Sequence, residues 1–102
     1  MPDLRTKESR PMKIPVHFYA KLRETFQARR IDVEMKPGAT VGDLLESICP
    51  TAKKRNELFA GADLKPYIII LINGRHIQHL EGLASPIKHG DVISVFPPIA
   101  GG

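Results

Sequence analysis

The group with the clearest chemistry in this sequence is the α-carboxylate of the second of two terminal glycines. Gly101 and Gly102 end the sequence after Pro97-Pro98, a pair that favours an extended, polyproline-like backbone. The six residues 97–102, at about 3.3 Å each, can reach about 20 Å from a folded domain. Because glycine has no Cβ, such a tail can pass through a narrow channel in another protein. Once activated as an acyl-adenylate, the carboxylate of Gly102 could accept a sulfur nucleophile or an amine.

Other reactive side chains are few and scattered. Cys49 is the only cysteine, so the chain cannot form an internal disulfide, a four-cysteine zinc site or an iron–sulfur cluster. It lies at the end of a predicted helix, and we expect it to be a small buried side chain. His76 and His79 are three residues apart without a further pair of ligands, so no metal site is predicted. Motifs for phosphate loops and nucleophiles are missing, so we do not expect the chain to be a catalyst by itself.

Length and composition indicate one globular domain. The chain has 102 residues, of which 42% are hydrophobic and 25% are charged. No apolar run approaches the roughly 18 residues that span a bilayer, so no membrane partner is predicted. The first residues lack the apolar core of a secretory signal, and a location in the cytoplasm is therefore expected.

Positive charge is concentrated at the front of the chain. Residues 1–30 hold eight Lys/Arg and three acids, whereas residues 31–102 hold seven Lys/Arg and eight acids. The basic stretch is either a docking surface, to which Arg23, Arg29 and Arg30 would contribute, or an ordinary solvated surface. Aromatic residues do not interleave with these charges as a base-stacking platform requires, so nucleic acid is not a predicted partner.

The spacing of apolar residues predicts two strands and one helix in the first half of the chain. Alternation of apolar and polar residues predicts strands over 14–20 and 31–36. Thr40 to Asp43 matches a helix capping box, and the helix that follows is predicted to end at Pro50. Its apolar residues recur at helical spacing and share one face: Val41, Leu44, Leu45 and Ile48.

The second half alternates short elements with turn signals. The sequence predicts a short helix over 53–60 and strands over 67–72, 75–78 and 92–96, of which the first would be buried on both faces. Asn73-Gly74 and Gly90-Asp91 are the predicted turns. The order of elements predicts an α+β fold of the β-grasp type, with a mixed sheet of about five strands packed on one main helix. We expect a flexible extension over 1–12, the domain over 13–96 and a flexible tail over 97–102.

Several short motifs, in order, resemble the small subunit of molybdopterin synthase (MoaD type) and the related ThiS-like sulfur carriers. They are Phe18-Tyr19-Ala20-Lys21-Leu22-Arg23-Glu24, the helix start over 40–45, Asn73-Gly74-Arg75, Gly90-Asp91-Val92 and the ending VFPPIAGG. Each piece alone is unspecific, but the set that closes on FPPxAGG is highly specific. The resemblance covers most of residues 13–102.

The resemblance implies a protein cosubstrate that is not itself an enzyme and binds no cofactor. An adenylyltransferase of the ubiquitin-activating type (MoeB/ThiF-like) would use ATP to adenylate Gly102, and a sulfur donor would convert the adenylate to a thiocarboxylate. The tail would then enter the large subunit of molybdopterin synthase and give its sulfur to the pterin precursor. The resemblance assigns the chemistry to Gly101 and Gly102, guidance of the tail to Phe96, Pro97, Pro98, Ile99 and Ala100, and partner contacts to Tyr19 and Arg23.

Other functions use the same fold and the same pair of terminal glycines. Related carriers serve thiamine synthesis, tRNA thiolation or cysteine synthesis, and a ubiquitin-like modifier would join its terminal glycine to lysines of other proteins. A plain interaction module with an inert, frayed tail is a third class. The lone Cys49 excludes a ferredoxin, which is another use of this fold.

Overall fold

The computed structural model describes residues 10–98 of the chain. Residues 1–9 of the predicted extension lie outside the described residues, as do Ile99, Ala100, Gly101 and Gly102 of the predicted tail. None of the helices in the described part is long and apolar enough to cross a membrane.

Residues 10–98 contain seven strands and three helices. The strands are β1 (Met12–Phe18), β2 (Arg30–Met35), β3 (Phe59–Ala60), β4 (Asp63–Leu64), β5 (Ile69–Ile72), β6 (Arg75–His76) and β7 (Ile93–Phe96). The helices are α1 (Leu22–Thr25), α2 (Val41–Ser47) and α3 (Ala52–Leu58), with 3₁₀ turns at Ile77–His79 and Gly82–Ala84.

Five of the strands form one mixed sheet in the order β2-β1-β7-β5-β6. β1 and β7 are parallel neighbours, and the other three neighbouring pairs are antiparallel. Helix α2 packs on one face of this sheet, because its buried leucines belong to the same apolar core as β1, β5 and β7. The arrangement confirms the predicted α+β, β-grasp fold.

Helix α2 begins where the capping box predicts. Asp43 N donates a hydrogen bond to Thr40 Oγ1 at 3.2 Å, and Thr40 N donates one to Asp43 Oδ2 at 3.0 Å. Val41, Leu44 and Leu45 are 0% exposed, so the predicted apolar face does meet the sheet. The helix ends at Ser47, three residues before Pro50.

The first strand begins and ends earlier than predicted. β1 covers Met12–Phe18 instead of 14–20. Ala20 is exposed and has a φ of 54°, a left-handed conformation that turns the chain out of the sheet. The polar connection predicted after this strand contains the helical turn α1, whose Leu22 is 0% exposed.

The strand predicted over 67–72 is shorter and is buried on one face only. Tyr67 has a φ of 76° and is 78% exposed, so it belongs to the turn before β5. Ile70 and Ile72 are buried, whereas Ile69 and Leu71 are half-buried. The prediction of burial on both faces was wrong because helix α2 covers only one face of the sheet.

The elements on either side of β5 differ in length from their predictions. The predicted helix over 53–60 is α3, which stops at Leu58 where Phe59 becomes extended. The Asn73-Gly74 turn is confirmed, with a φ of 52° at Asn73 and 86° at Gly74. The strand after it covers only Arg75–His76, because the Gln78 backbone N–H bonds the side chain of His76 and a 3₁₀ turn begins.

Candidate functional site

The last strand of the sheet ends beside the first strand. Phe18 of β1 pairs with Val95 of β7 in parallel register, so the residues that follow them, Tyr19 and Phe96, lie side by side. Their rings are stacked, with centroids 4.3 Å apart and planes 10° apart. Two of the predicted site residues therefore touch each other at the point where the predicted tail leaves the domain.

Arg23, a third predicted site residue, joins this pair. Its Nε donates a hydrogen bond to the carbonyl oxygen of Phe18 at 3.0 Å. Its guanidinium carbon lies 5.6 Å from the centroid of the Tyr19 ring, within the range of a cation–π contact. The cation therefore packs against the tyrosine ring that stacks on Phe96, and we call these three side chains the tail-root stack.

The short helix α1 holds Arg23 in this position. Ala20 turns the chain sharply after β1, and Leu22 anchors the helical turn in the core. Phe26, just after the helix, stacks on Phe18 with ring centroids 4.4 Å apart. Two buried side chains thus fix the segment that carries the arginine, although its own residues are mostly polar.

The two prolines continue from the tail-root stack. Phe96 is the last residue of β7 and pairs with Ile69 of β5. Pro97 is half-buried and Pro98 is exposed, and neither has an N–H with which to extend the sheet. The sheet therefore ends where the predicted tail begins. The predicted site residues Ile99, Ala100, Gly101 and Gly102 lie outside the described residues.

Two further apolar residues lie next to the tail-root stack. Ile69 is opposite Phe96 across β5 and β7, and Leu71 lies two residues further along the same face. This face of the sheet points away from helix α2, and we call it the outer face. Sequence reasoning missed both residues as site candidates because it placed them inside the core. The signal that could have found them is the alternation of burial along an antiparallel strand.

Cys49 does not join this site. It is 6% exposed, next to the end of helix α2. Burial, with a smaller contribution from the negative charge of Glu46, raises the pKa of the Cys49 thiol to about 11. A thiol with this pKa is almost fully protonated at neutral pH and is a poor nucleophile. This agrees with its prediction as a buried structural side chain.

The histidines do not assemble a metal site within residues 10–98. The rings of His76 and His79 lie 6.0 Å apart in an edge-on arrangement. No group of three or more His, Cys, Asp or Glu side chains in that part of the chain could hold a metal ion. One ring nitrogen of His76 accepts the backbone N–H of Gln78 and so has a local structural role.

Known proteins are similar to this chain in sequence and fold. The sequence profile of the ThiS family matches residues 16–102. The chain is 37% identical to small archaeal modifier protein 3 of Haloferax volcanii over 92 residues, which cover 89% of this chain and 100% of that protein. It is 29% identical to the molybdopterin synthase sulfur carrier subunit of Drosophila ananassae, over 89% of this chain and 92% of that protein.

A solved structure has the same fold. The solution structure of the Haloferax volcanii HVO 2177 protein superposes with a TM-score of 0.78 at 36% identity, over 90% of this chain and 88% of that chain. The family match includes the tail-root stack and runs to the terminal glycines. The chain therefore belongs to the ThiS family of ubiquitin-like sulfur carriers.

Proposed function

We propose that the chain carries sulfur as a thiocarboxylate on Gly102 and donates it in molybdopterin biosynthesis, as the small subunit of molybdopterin synthase. The observation that carries this proposal is the ending FPPIAGG, whose first residue, Phe96, belongs to the tail-root stack. The likeness to a molybdopterin synthase sulfur carrier subunit over most of both chains supports the choice of pathway. On this account the chain is a protein cosubstrate and has no catalytic activity of its own.

Activation of the tail needs ATP and an adenylyltransferase. The carboxylate oxygen of Gly102 attacks the α-phosphorus of ATP, and pyrophosphate leaves. A sulfide-level sulfur from the donor then attacks the acyl carbon, so a carbon–sulfur bond forms while the carbon–oxygen bond to AMP breaks. The net change replaces one carboxylate oxygen with sulfur. Both steps take place on the partner enzyme, and this chain supplies the acyl group.

Each described residue of the site has a proposed part in delivering that group. Pro97 and Pro98 direct the tail away from the sheet and keep it extended. Phe96, Tyr19 and Arg23 form a surface at the root of the tail on which a partner can dock. Ile69 and Leu71 continue that surface with apolar area, as the core of a protein interface requires.

The residues outside the described part complete the proposed tail. Ile99 and Ala100 guide the tail through the partner's channel, and Gly101 and Gly102 present the reactive end without side chains. The proposed partners are the large subunit of molybdopterin synthase, a MoeB/ThiF-like adenylyltransferase and a sulfur donor.

A substitution at Tyr19 tests the docking surface. Tyr19→Ala removes the middle layer of the tail-root stack, and we expect it to weaken binding to the large subunit by roughly tenfold or more. Tyr67→Ala is the matched control, because this second tyrosine is 78% exposed and lies in the turn before β5. Titration calorimetry measures both affinities. Equal affinities for the two variants would show that Tyr19 is not part of the interface.

Reconstitution tests the proposed pathway. The thiocarboxylated chain, the purified large subunit and the pterin precursor should together yield the dithiolene product, in proportion to the thiocarboxylate consumed. The same mixture with the Gly101-Gly102 deletion is the control. If the thiocarboxylate forms but the large subunit leaves it intact, the molybdopterin assignment is wrong and another sulfur-accepting pathway is indicated.

A ubiquitin-like modifier is the second candidate function. It is favoured by the 37% identity to small archaeal modifier protein 3 over that protein's full length. A modifier would use the same adenylated glycine but transfer it to a lysine amine. Immunoblots of cell extract should then show discrete bands of higher mass that resist reductant and disappear when Gly101 and Gly102 are deleted. A single band at the mass of the free chain would exclude this candidate.

A further inference from the structure

Two segments of the chain carry its whole surplus of positive charge. Residues 21–30 and helix α3 together contain seven Lys/Arg and two acids, Glu24 and Glu57. The rest of residues 10–98 contains six Lys/Arg and seven acids. More than twenty residues of sequence separate the two segments. Only the folded chain can therefore show whether they lie close together.

The structure brings these segments together at one end of the domain. Lys54 of α3 lies with its Nζ 6.0 Å from the centroid of the Phe26 ring. The Phe26 ring stacks on Phe18, and Phe18 pairs with Val95, the residue before Phe96. Three successive contacts therefore connect α3 to the root of the tail. Both basic segments lie at the end of the domain from which the tail leaves.

Some of the seven cations already have partners. Arg30 pairs with Asp32 at 3.0 Å, and Arg55 pairs with Glu46 at 2.8 Å. Arg23 belongs to the tail-root stack. The other four cations form no ion pair with any residue in the 10–98 range, and we call them the tail-end cations: Lys21, Arg29, Lys53 and Lys54.

We propose that the tail-end cations dock against an acidic surface on the adenylyltransferase that activates the tail, around the mouth of its channel. This inference rests on the proposed function, because it assumes that the tail enters such an enzyme. Positive charge near the tail root and negative charge near the mouth would turn the carrier so that its tail points inward before contact. The resulting attraction speeds encounter and adds little to the lifetime of the complex.

The surroundings of these cations favour a protein partner over a nucleic acid. Phe18 is 0% exposed and Phe26 is 8% exposed, so their rings cannot stack on bases. Lys21, Arg29 and Lys53 are exposed, and Lys54 is half-buried against the Phe26 ring. The rings of Phe18 and Phe26 thus offer no stacking platform beside these cations.

Charge reversal tests the inference. The variant Lys21→Glu/Arg29→Glu/Lys53→Glu/Lys54→Glu reverses the tail-end cations. The matched control Lys36→Glu/Lys65→Glu/Arg75→Glu/Lys88→Glu changes the net charge equally at exposed positions elsewhere. Stopped-flow association with the adenylyltransferase is measured from low ionic strength to about 1 M salt, where the Debye length falls to about 3 Å. A second set with Lys→Gln and Arg→Gln at the same four positions keeps the test valid if the reversed chain folds poorly.

We expect the tail-end variant to associate at least about tenfold more slowly than the wild type at low ionic strength. The control should associate within about twofold of the wild type, and the difference should vanish at high salt. The Gln set should show a smaller loss in the same direction. Equal association rates for the two reversed variants would overturn the inference. So would tight binding of the wild type to a single-stranded RNA probe that is lost in the tail-end variant.

A separate readout distinguishes this inference from the proposed function. Intact mass after incubation with saturating enzyme, ATP and hydrosulfide reports formation of the thiocarboxylate. If the tail-end variant and the control both gain sulfur and associate equally fast, the docking inference fails while the proposed function stands. If the wild-type chain gains no sulfur and does not associate with the enzyme, both fail.

Discussion

At the scale of single residues, burial distinguishes Cys49, which is a poor nucleophile, from the tail-root stack, which a partner can contact. Cys49 is the chain's only thiol, yet it is 6% exposed and burial raises its pKa. Tyr19 and Phe96 are aromatic residues that remain half-buried on the outer face. A thiol is reactive by type, whereas the buried position of Cys49 next to the end of helix α2 makes it structural.

The raised pKa of Cys49 predicts how stability depends on pH. Between pH 9.0 and about 11 the unfolded chain loses the thiol proton while the folded chain keeps it, so the free energy of unfolding falls. Below pH 9.0 the thiol keeps its proton in both states, so its contribution to the free energy of unfolding is fully present. Urea titrations of the wild type and Cys49→Ala isolate the contribution of the thiol, because the two proteins differ only in the side chain at position 49. Parallel pH profiles for the two proteins would show that the thiol titrates normally.

The sequence predicts the members of the tail-root stack but not the stack itself. Tyr19, Arg23 and Phe96 all lie in motifs that can be read directly along the chain. The contact of Tyr19 with Phe96 depends on the parallel register of β1 and β7, two strands separated by more than seventy residues. No local pattern specifies which strand lies beside β1, so the contact becomes visible only in the fold.

At the scale of elements, α1 is the helix that sequence reasoning missed. Residues 21–30 are mostly charged or polar, and a helix of four residues is too short to show a helical period. Its place is fixed by Leu22 and Phe26, which bury their side chains in the core. The connection that looks like a loop therefore holds Arg23 in position over Tyr19.

Truncation of Leu22 tests this role of α1. Leu22 is 0% exposed, so Leu22→Ala should lower the free energy of unfolding by about 2–5 kcal/mol. The adjacent Lys21→Ala is the control, because Lys21 is exposed and should change stability by less than about 0.5 kcal/mol. Urea unfolding followed by circular dichroism measures both. A loss below about 1 kcal/mol for Leu22→Ala would mean that α1 is not anchored as described.

The capping box of α2 gives a second test at this scale. Thr40→Ala removes the side-chain acceptor for Asp43 N and should cost about 1 kcal/mol. Thr40→Ser keeps a hydroxyl in the same place and should stay close to the wild type. Thermal unfolding of the three proteins checks the order. If the Ala and Ser variants are equally stable, the hydroxyl does not cap the helix.

At the scale of the whole molecule, the order of elements was enough to predict the β-grasp fold. The two early strands, the capped helix and the Asn73-Gly74 turn all carry strong local signals, and the structure contains each of them. The connection over 50–66 was harder to predict, because β3 and β4 have only two residues each. The position of α3 beside Phe26 depends on tertiary packing, and that position brings the two basic segments to the tail end.

The central claim concerns the end of the tail, and the mass of the intact chain tests it most directly. The wild-type chain is incubated with ATP, hydrosulfide and a MoeB/ThiF-like adenylyltransferase, and the same reaction is run with Gly102 deleted. We expect the wild type to gain the mass of one oxygen-for-sulfur exchange, located by fragmentation at Gly102, and the deletion variant to keep its mass. An unchanged wild-type mass, or an equal gain in the deletion variant, would contradict the assignment of Gly102 as the sulfur-carrying residue.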